Sequence, residues 1–135
     1  MHETMDAKDA IKGLGVGRTT SAADAGRAKL TPLLRERVTS LPRGPEQEIR
    51  VLFARLDPGD RTPTHSHRFP VTVYVTRGTF TLELANRGRV AIAAGEGFVE
   101  PAEVMMTGYN LGAEPAEMAL FYACDPDAPF ADAAE

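Results

Sequence analysis

The chain has 135 residues, 43% hydrophobic and 25% charged, with a formal net charge of -4 and one cysteine. That length suits one domain with a core of its own, and the acidic balance argues against a nucleic-acid partner, which needs a basic patch. No apolar run approaches the ~18 residues of a membrane helix, the start lacks a signal-peptide layout and a single cysteine makes no internal disulfide, so the expectation is a cytoplasmic protein without a membrane partner.

Residues 1–29 read as a flexible N-terminal arm. Lys8 to Leu14 has some helical character, but Gly13, Gly15 and Gly17 interrupt it. Strand patterns begin after Leu30. Leu33 to Leu41 is expected to be a first strand, Leu41 to Pro45 a loop, and Glu48 to Leu56 a second strand with Ile49, Val51 and Phe53 on one face. Arg35, Arg37, Arg43, Arg50 and Arg55 are interleaved with acids and read as solvated surface. Asp57-Pro-Gly-Asp60 closes that strand.

The stretch Gly59 to Gly78 contains His65-Ser66-His67. If it is extended, the two imidazoles project from one face and Thr64 and Ser66 from the other, so the histidines can converge on an ion. The plain alternative for an isolated His-x-His is two solvated histidines. The flanks favour a strand: Val71, Val73 and Val75 alternate with Thr72, Tyr74 and Thr76 up to the Arg77-Gly78 turn. Thr79 to Leu84 alternates again, Ala85 to Arg89 supplies a hairpin turn with Asn86 and Gly88, and Arg89 to Ala93 returns. Phe98 to Glu100, Val104 to Tyr109 and Ala116 to Cys124 complete the set of short strands, leaving Asp125 to Glu135 as an acidic tail along the surface.

Many short strands at regular spacing with no convincing long helix suggest a sandwich or a barrel. Gly59, His65, His67 and Gly78 fall on the first motif of the cupin family, Gly-x5-His-x-His-x3,4-Glu-x6-Gly, and the stretch from about Leu30 to Cys124 resembles that family. The resemblance implies an all-β double-stranded β-helix, or jelly-roll barrel, over residues 30–124. The motif's glutamate falls at Val71 or Thr72. A fainter match to the second motif runs from Gly88 to Asn110 and places Met106 at the last histidine.

Cupins of the ordinary kind hold a metal with three histidines and one glutamate. What the resemblance implies here is half a site, His65 and His67, with a weakly held divalent transition metal: copper, zinc, iron, manganese and nickel all remain open. Met106 is either a soft third ligand, which would favour copper, or a core filler. Val71, Val73, Phe80, Leu82 and Met106 are expected to line the pocket. Ser66 lies on the wrong face for a nucleophile and Cys124 reads as a buried thiol; Glu96, Glu100 and Glu103 are near enough to the second motif for any of them to reach the barrel mouth as a general acid or base, but read first as surface loop charges. Tyr74 and Tyr109 receive no role.

Three functions follow. The first is a small-molecule-binding barrel whose histidines supply hydrogen bonds. The second is a metal-dependent oxygenase or oxidoreductase on a small organic substrate. The third is a metal-free isomerase or epimerase with a histidine base, which requires an acid partner that the sequence does not reveal. A homodimer is expected through the free edge of the Leu33–Leu41 strand.

Overall fold

A computed structural model describes residues 27–134, so the expected N-terminal arm, 1–29, lies almost wholly outside the described residues. Residues 27–37 belong to a separate N-terminal unit and carry no regular secondary structure. From Val38 onward the chain forms nine strands and, among the described residues, no helix. Accordingly none of those residues forms a helix long and apolar enough to cross a membrane.

The strands are β1 (Glu48–Leu56), β2 (His65–Ser66), β3 (Val71–Arg77), β4 (Thr79–Leu84), β5 (Gly88–Ala93), β6 (Gly97–Glu100), β7 (Met106–Tyr109), β8 (Ala116–Cys124) and β9 (Asp132–Ala133). They make two antiparallel sheets, one ordered β1-β8-β3-β6 and the other β5-β4-β7-β2-β9. This is the double-stranded β-helix expected from the sequence. Alternation sets which side chains face in: Val71, Val73 and Val75 of β3 and Met118 and Tyr122 of β8 meet Phe80, Leu82 and Leu84 of β4 and Met106 of β7 in one buried cluster.

Two glycines explain why the turns sit where they do. Gly78 has φ +71°, and a Cβ there would lie 2.3 Å from the Pro115 carbonyl oxygen, so the β3–β4 turn accepts no larger residue. Gly88, at φ +85°, follows Asn86 at φ 62° to close the β4–β5 hairpin as its sequence suggested.

Three expectations are corrected. Leu33 to Leu41 forms no strand: Leu33 and Leu41 are exposed, and only Leu34 and Val38, four residues apart, are half-buried, so no period of two exists to bury a face. The first sheet ends instead at β1 and β6, and the β1 face of Ile49, Val51 and Phe53 points outward and is 65–73% exposed. Finally, the expected tail does not simply trail along the surface. Its residues 132–133 form β9, pairing Ala133 with His65 and Asp132 with Ser66, because β2 would otherwise leave its outer backbone groups unpaired.

Candidate functional site

Inside the barrel the side chains sort into two ends. Leu56, Val75, Phe80, Ile92, Ala116 and Met118 fill one end, and the buried Asn110 closes it by donating from Nδ2 to the carbonyls of Leu56 (2.9 Å) and Glu114 (2.8 Å). The opposite end is polar. Across the first sheet one inward row runs Arg50, Tyr122, Val71, Glu100, as the pairings Arg50 with Tyr122, Tyr122 with Val71 and Val71 with Glu100 require. From the second sheet His65, opposite Met106, and the adjoining His67 face this row.

His65 and His67 do lie on one side of the chain, their ring centroids 4.9 Å apart and nearly perpendicular. Their surroundings differ. His65 is half-buried, with Nδ1 2.7 Å from the Pro63 carbonyl. His67 is 1% exposed, and both of its nitrogens are engaged: Nδ1 lies 2.7 Å from the Phe130 carbonyl oxygen and Nε2 lies 3.2 Å from the Glu100 carboxylate. A carbonyl only accepts, so Nδ1 carries hydrogen. Nε2 donates to Glu100 only when it too carries a proton, and His67 is then charged. Burial alone would push the His67 imidazolium down; Glu100, the Phe130 carbonyl and Asp132 outweigh it, and the net shift is upward.

Glu100 thus stands apart from its expected place on the surface. On β6 it shares a face with Phe98 and looks inward opposite Val71, the position where the sequence lacked a carboxylate. Glu96 and Glu103 are exposed: Glu96 accepts from the Ala93 amide, and Glu103 donates its own amide to the His67 carbonyl. Arg50 also departs from expectation, being half-buried in the inward row and paired with Glu48 at 2.7 Å.

Two aromatic residues complete this end. The Phe130 ring stands edge-on to His67 (4.7 Å) and to Tyr122 (5.3 Å). Tyr122 is buried, and its hydroxyl is the one buried side-chain oxygen or nitrogen among the described residues without a hydrogen-bond partner. Burial pushes this phenol's pKa up; the amides of Phe69 and Arg68 oppose the shift without reaching hydrogen-bonding geometry. Phe98-Val99-Glu100, a carboxylate ending an apolar strand, was a usable signal for Glu100. Phe130 offered none, standing alone in a polar segment.

The remaining expected residues separate. Val71, Val73, Phe80 and Leu82 are core, as is Met106 at 1% exposure. Met106 also borders an open groove of about 400 Å³ with Thr64, Glu83 and Met105, which the other four do not line. Ser66 faces away from the histidines with Asp132. Cys124 is buried, its thiol pushed up by desolvation. Tyr109 sits on the outer face, donating to Glu83 and lying under Arg89.

The family model described as a cupin domain matches residues 52–122. The chain belongs to the cupin family. No curated protein matches this cupin, but many solved structures share its fold. One is an RmlC-like cupin with a double-stranded β-helix fold from Methanocaldococcus jannaschii, at 22% identity and TM-score 0.55, covering 58% of this chain and 72% of that one. A second is Bacillus subtilis oxalate decarboxylase, described with Mn(II) centres, at 19% identity and TM-score 0.56, covering 63% of this chain and 23% of that one. A third is a cupin-superfamily sugar phosphate isomerase from Silicibacter pomeroyi, at 24% identity and TM-score 0.50, covering 56% and 50%. The cupin thus spans a quarter of the decarboxylase and half of the isomerase.

The four-ligand metal set of ordinary cupins does not fit the residues present here. Two of its positions are the buried apolar side chains Val71 and Met106. Nε2 of His67, which an ion would need, already faces Glu100. Among the described residues no three His, Cys, Asp or Glu side chains are arranged to hold an ion.

Proposed function

We propose that this cupin binds a small organic molecule at the polar end of its barrel and moves a proton on it, in the manner of an isomerase or epimerase. The carrying observation is the His67–Glu100 contact of 3.2 Å between two buried groups, the acid partner that a histidine-based proton transfer requires. With His67 charged, Glu100 keeps a carboxylate oxygen to accept a proton from a carbon next to a carbonyl. The C–H electrons pass to the carbonyl oxygen, and the enolate recovers a proton from the pair at the same or the neighbouring carbon. No oxidant or co-reactant is consumed. Entry requires the segment carrying Phe130 to lift; beyond the His67–Phe130 hydrogen bond it is held by the two residues of β9, the Ala134 amide on the Thr64 carbonyl and the exposed Arg68–Asp132 ion pair.

Incubating the protein in deuterium oxide with pyruvate, dihydroxyacetone, glyceraldehyde and acetoin tests this reading. Proton NMR should show deuterium entering carbon next to the carbonyl of at least one compound, with the rate lost in Glu100→Gln and in His67→Gln. Equal exchange by parent and both variants sinks it.

A second reading, a metal-dependent oxidoreductase, has one observation in its favour. Both histidines direct Nδ1 at a backbone carbonyl 2.7 Å away, the support that leaves Nε2 for an ion in metal sites. Such an ion would need both Nε2 atoms and the Glu100 carboxylate turned to one point. Elemental analysis of untagged protein discriminates: a full equivalent of iron or manganese puts this reading first.

We also propose that the cupin is cytoplasmic and pairs with a second copy through β1. Antiparallel β1 strands related about Leu52 set Val51 opposite Phe53 twice and join two exposed apolar rows, while Arg55 falls opposite Ile49 and no like charges meet.

A further inference from the structure

The Tyr122 hydroxyl is an oddity on energetic grounds. A buried polar group without a partner costs about 1–3 kcal/mol, and a phenylalanine would fill the same space without that cost. Tyr122 occupies the inward row of the polar end, with Val71 between it and Glu100. Two strand spacings, about 10 Å, separate the two backbones. The His67 ring lies beside both, its centroid 6.0 Å from that of Tyr122 and its Nε2 3.2 Å from Glu100.

We propose that Tyr122 is a catalytic residue of the proton-transfer site: its hydroxyl donates to the carbonyl oxygen of the bound molecule while the adjacent C–H faces Glu100. The ligand class follows, a small carbonyl compound short enough to span from Tyr122 to the pair. Donation matters most when the C–H electrons reach that oxygen, since a donor placed at a developing enolate stabilises it more than the starting carbonyl. The phenol stays protonated for this task because burial holds its pKa above the usual tyrosine value. Phe130, edge-on to both rings, must move with its segment for the molecule to enter.

This assignment rests on the proton-transfer reading, and Tyr122→Phe separates the two. In the deuterium-exchange assay with the same four compounds, the variant should lose about 100-fold in kcat with little change in KM. It should also unfold at the parent's temperature or higher, because the hydroxyl it loses makes no hydrogen bond within the protein. Unchanged kcat alongside exchange by the parent overturns the role of Tyr122 and leaves the His67–Glu100 reading standing. A Tyr122→Phe midpoint about 4 °C or more below the parent's shows that the hydroxyl has a structural partner, and overturns the role by a route independent of any ligand. Exchange of none of the four by the parent removes the ligand class together with the reading beneath it.

Discussion

The two ends of the barrel interior share β1, β3 and β8 and differ in what those strands and their neighbours carry inward. At the apolar end, β3, β4 and β8 contribute Val75, Phe80 and Met118, and the polar residue present, Asn110, is satisfied on every side, accepting from the Gly112 amide and donating to two carbonyls. At the polar end β8 carries Tyr122 with its unpartnered hydroxyl, four residues beyond Met118, while Glu100 comes from β6 and His67, tied to a carbonyl 63 residues away, from just past β2. Cohesion at the first end comes from packing, which is indifferent to pH; at the second it depends on protons. The comparison teaches that the fold's stability and its chemistry are separable along one strand.

Breaking the apolar end should have the largest effect. Phe80→Ala removes a ring that is 4% exposed and should cost about 3–5 kcal/mol in chemical denaturation, equally at pH 6 and pH 9. A cost below about 1 kcal/mol would place Phe80 outside the core. At the polar end, Glu100→Gln should cost about 2 kcal/mol, and only where His67 is charged. The sign follows from the raised His67 pKa: the pair's stabilisation is fully present below the ordinary histidine value of about 6.5 and fades as pH rises through the higher folded value. Denaturation curves of parent and variant should converge toward pH 9. A gap that widens with pH would contradict the assignment.

The comparison sharpens further at Gly108, whose missing side chain makes room for Phe80: a Cβ there would lie 2.5 Å from that ring. Gly108→Ala should cost about 1–2 kcal/mol, and part of that should return when Phe80→Leu is added. The smallest expected change in subunit stability is at Phe53, outside both ends. Phe53→Asp should shift unfolding of the single subunit by less than about 0.5 kcal/mol, yet reduce the mass seen by light scattering from two subunits to one. A parent that is already a monomer at micromolar concentration removes the β1 pairing.

Most of the apolar end was legible in the sequence because alternation is a local signal: Val71 to Val75 and Phe80 to Leu84 announce their faces within a few residues. Leu33 to Leu41 misled because its two leucine ends suggest a strand while its half-buried positions, Leu34 and Val38, are not two apart. The face of Ile49, Val51 and Phe53 was rightly grouped, but periodicity does not say which side of a strand meets the core; Leu52 and Leu56 turned inward instead. At the site, His65 and His67 were found from spacing. Glu100 was weighed but set on the surface and Tyr122 was not found, since both reach the histidines only through cross-strand register, a property of two strands together. The absent motif glutamate at Val71 was visible; that a carboxylate stands on the neighbouring strand opposite it was not.

The hydrogen bond from His67 to the Phe130 carbonyl has a consequence for folding order. Closing a loop of 63 residues costs more chain entropy than closing the β4–β5 hairpin, whose strands are joined by three turn residues. The hairpin and the β3–β4 turn around Gly78 are therefore the natural early structure, and the polar end is assembled late, when the 125–134 segment docks. In a kinetic experiment, mutations at Phe80 should slow refolding, whereas shortening the Phe130 side chain should leave the refolding rate almost untouched and appear as faster unfolding.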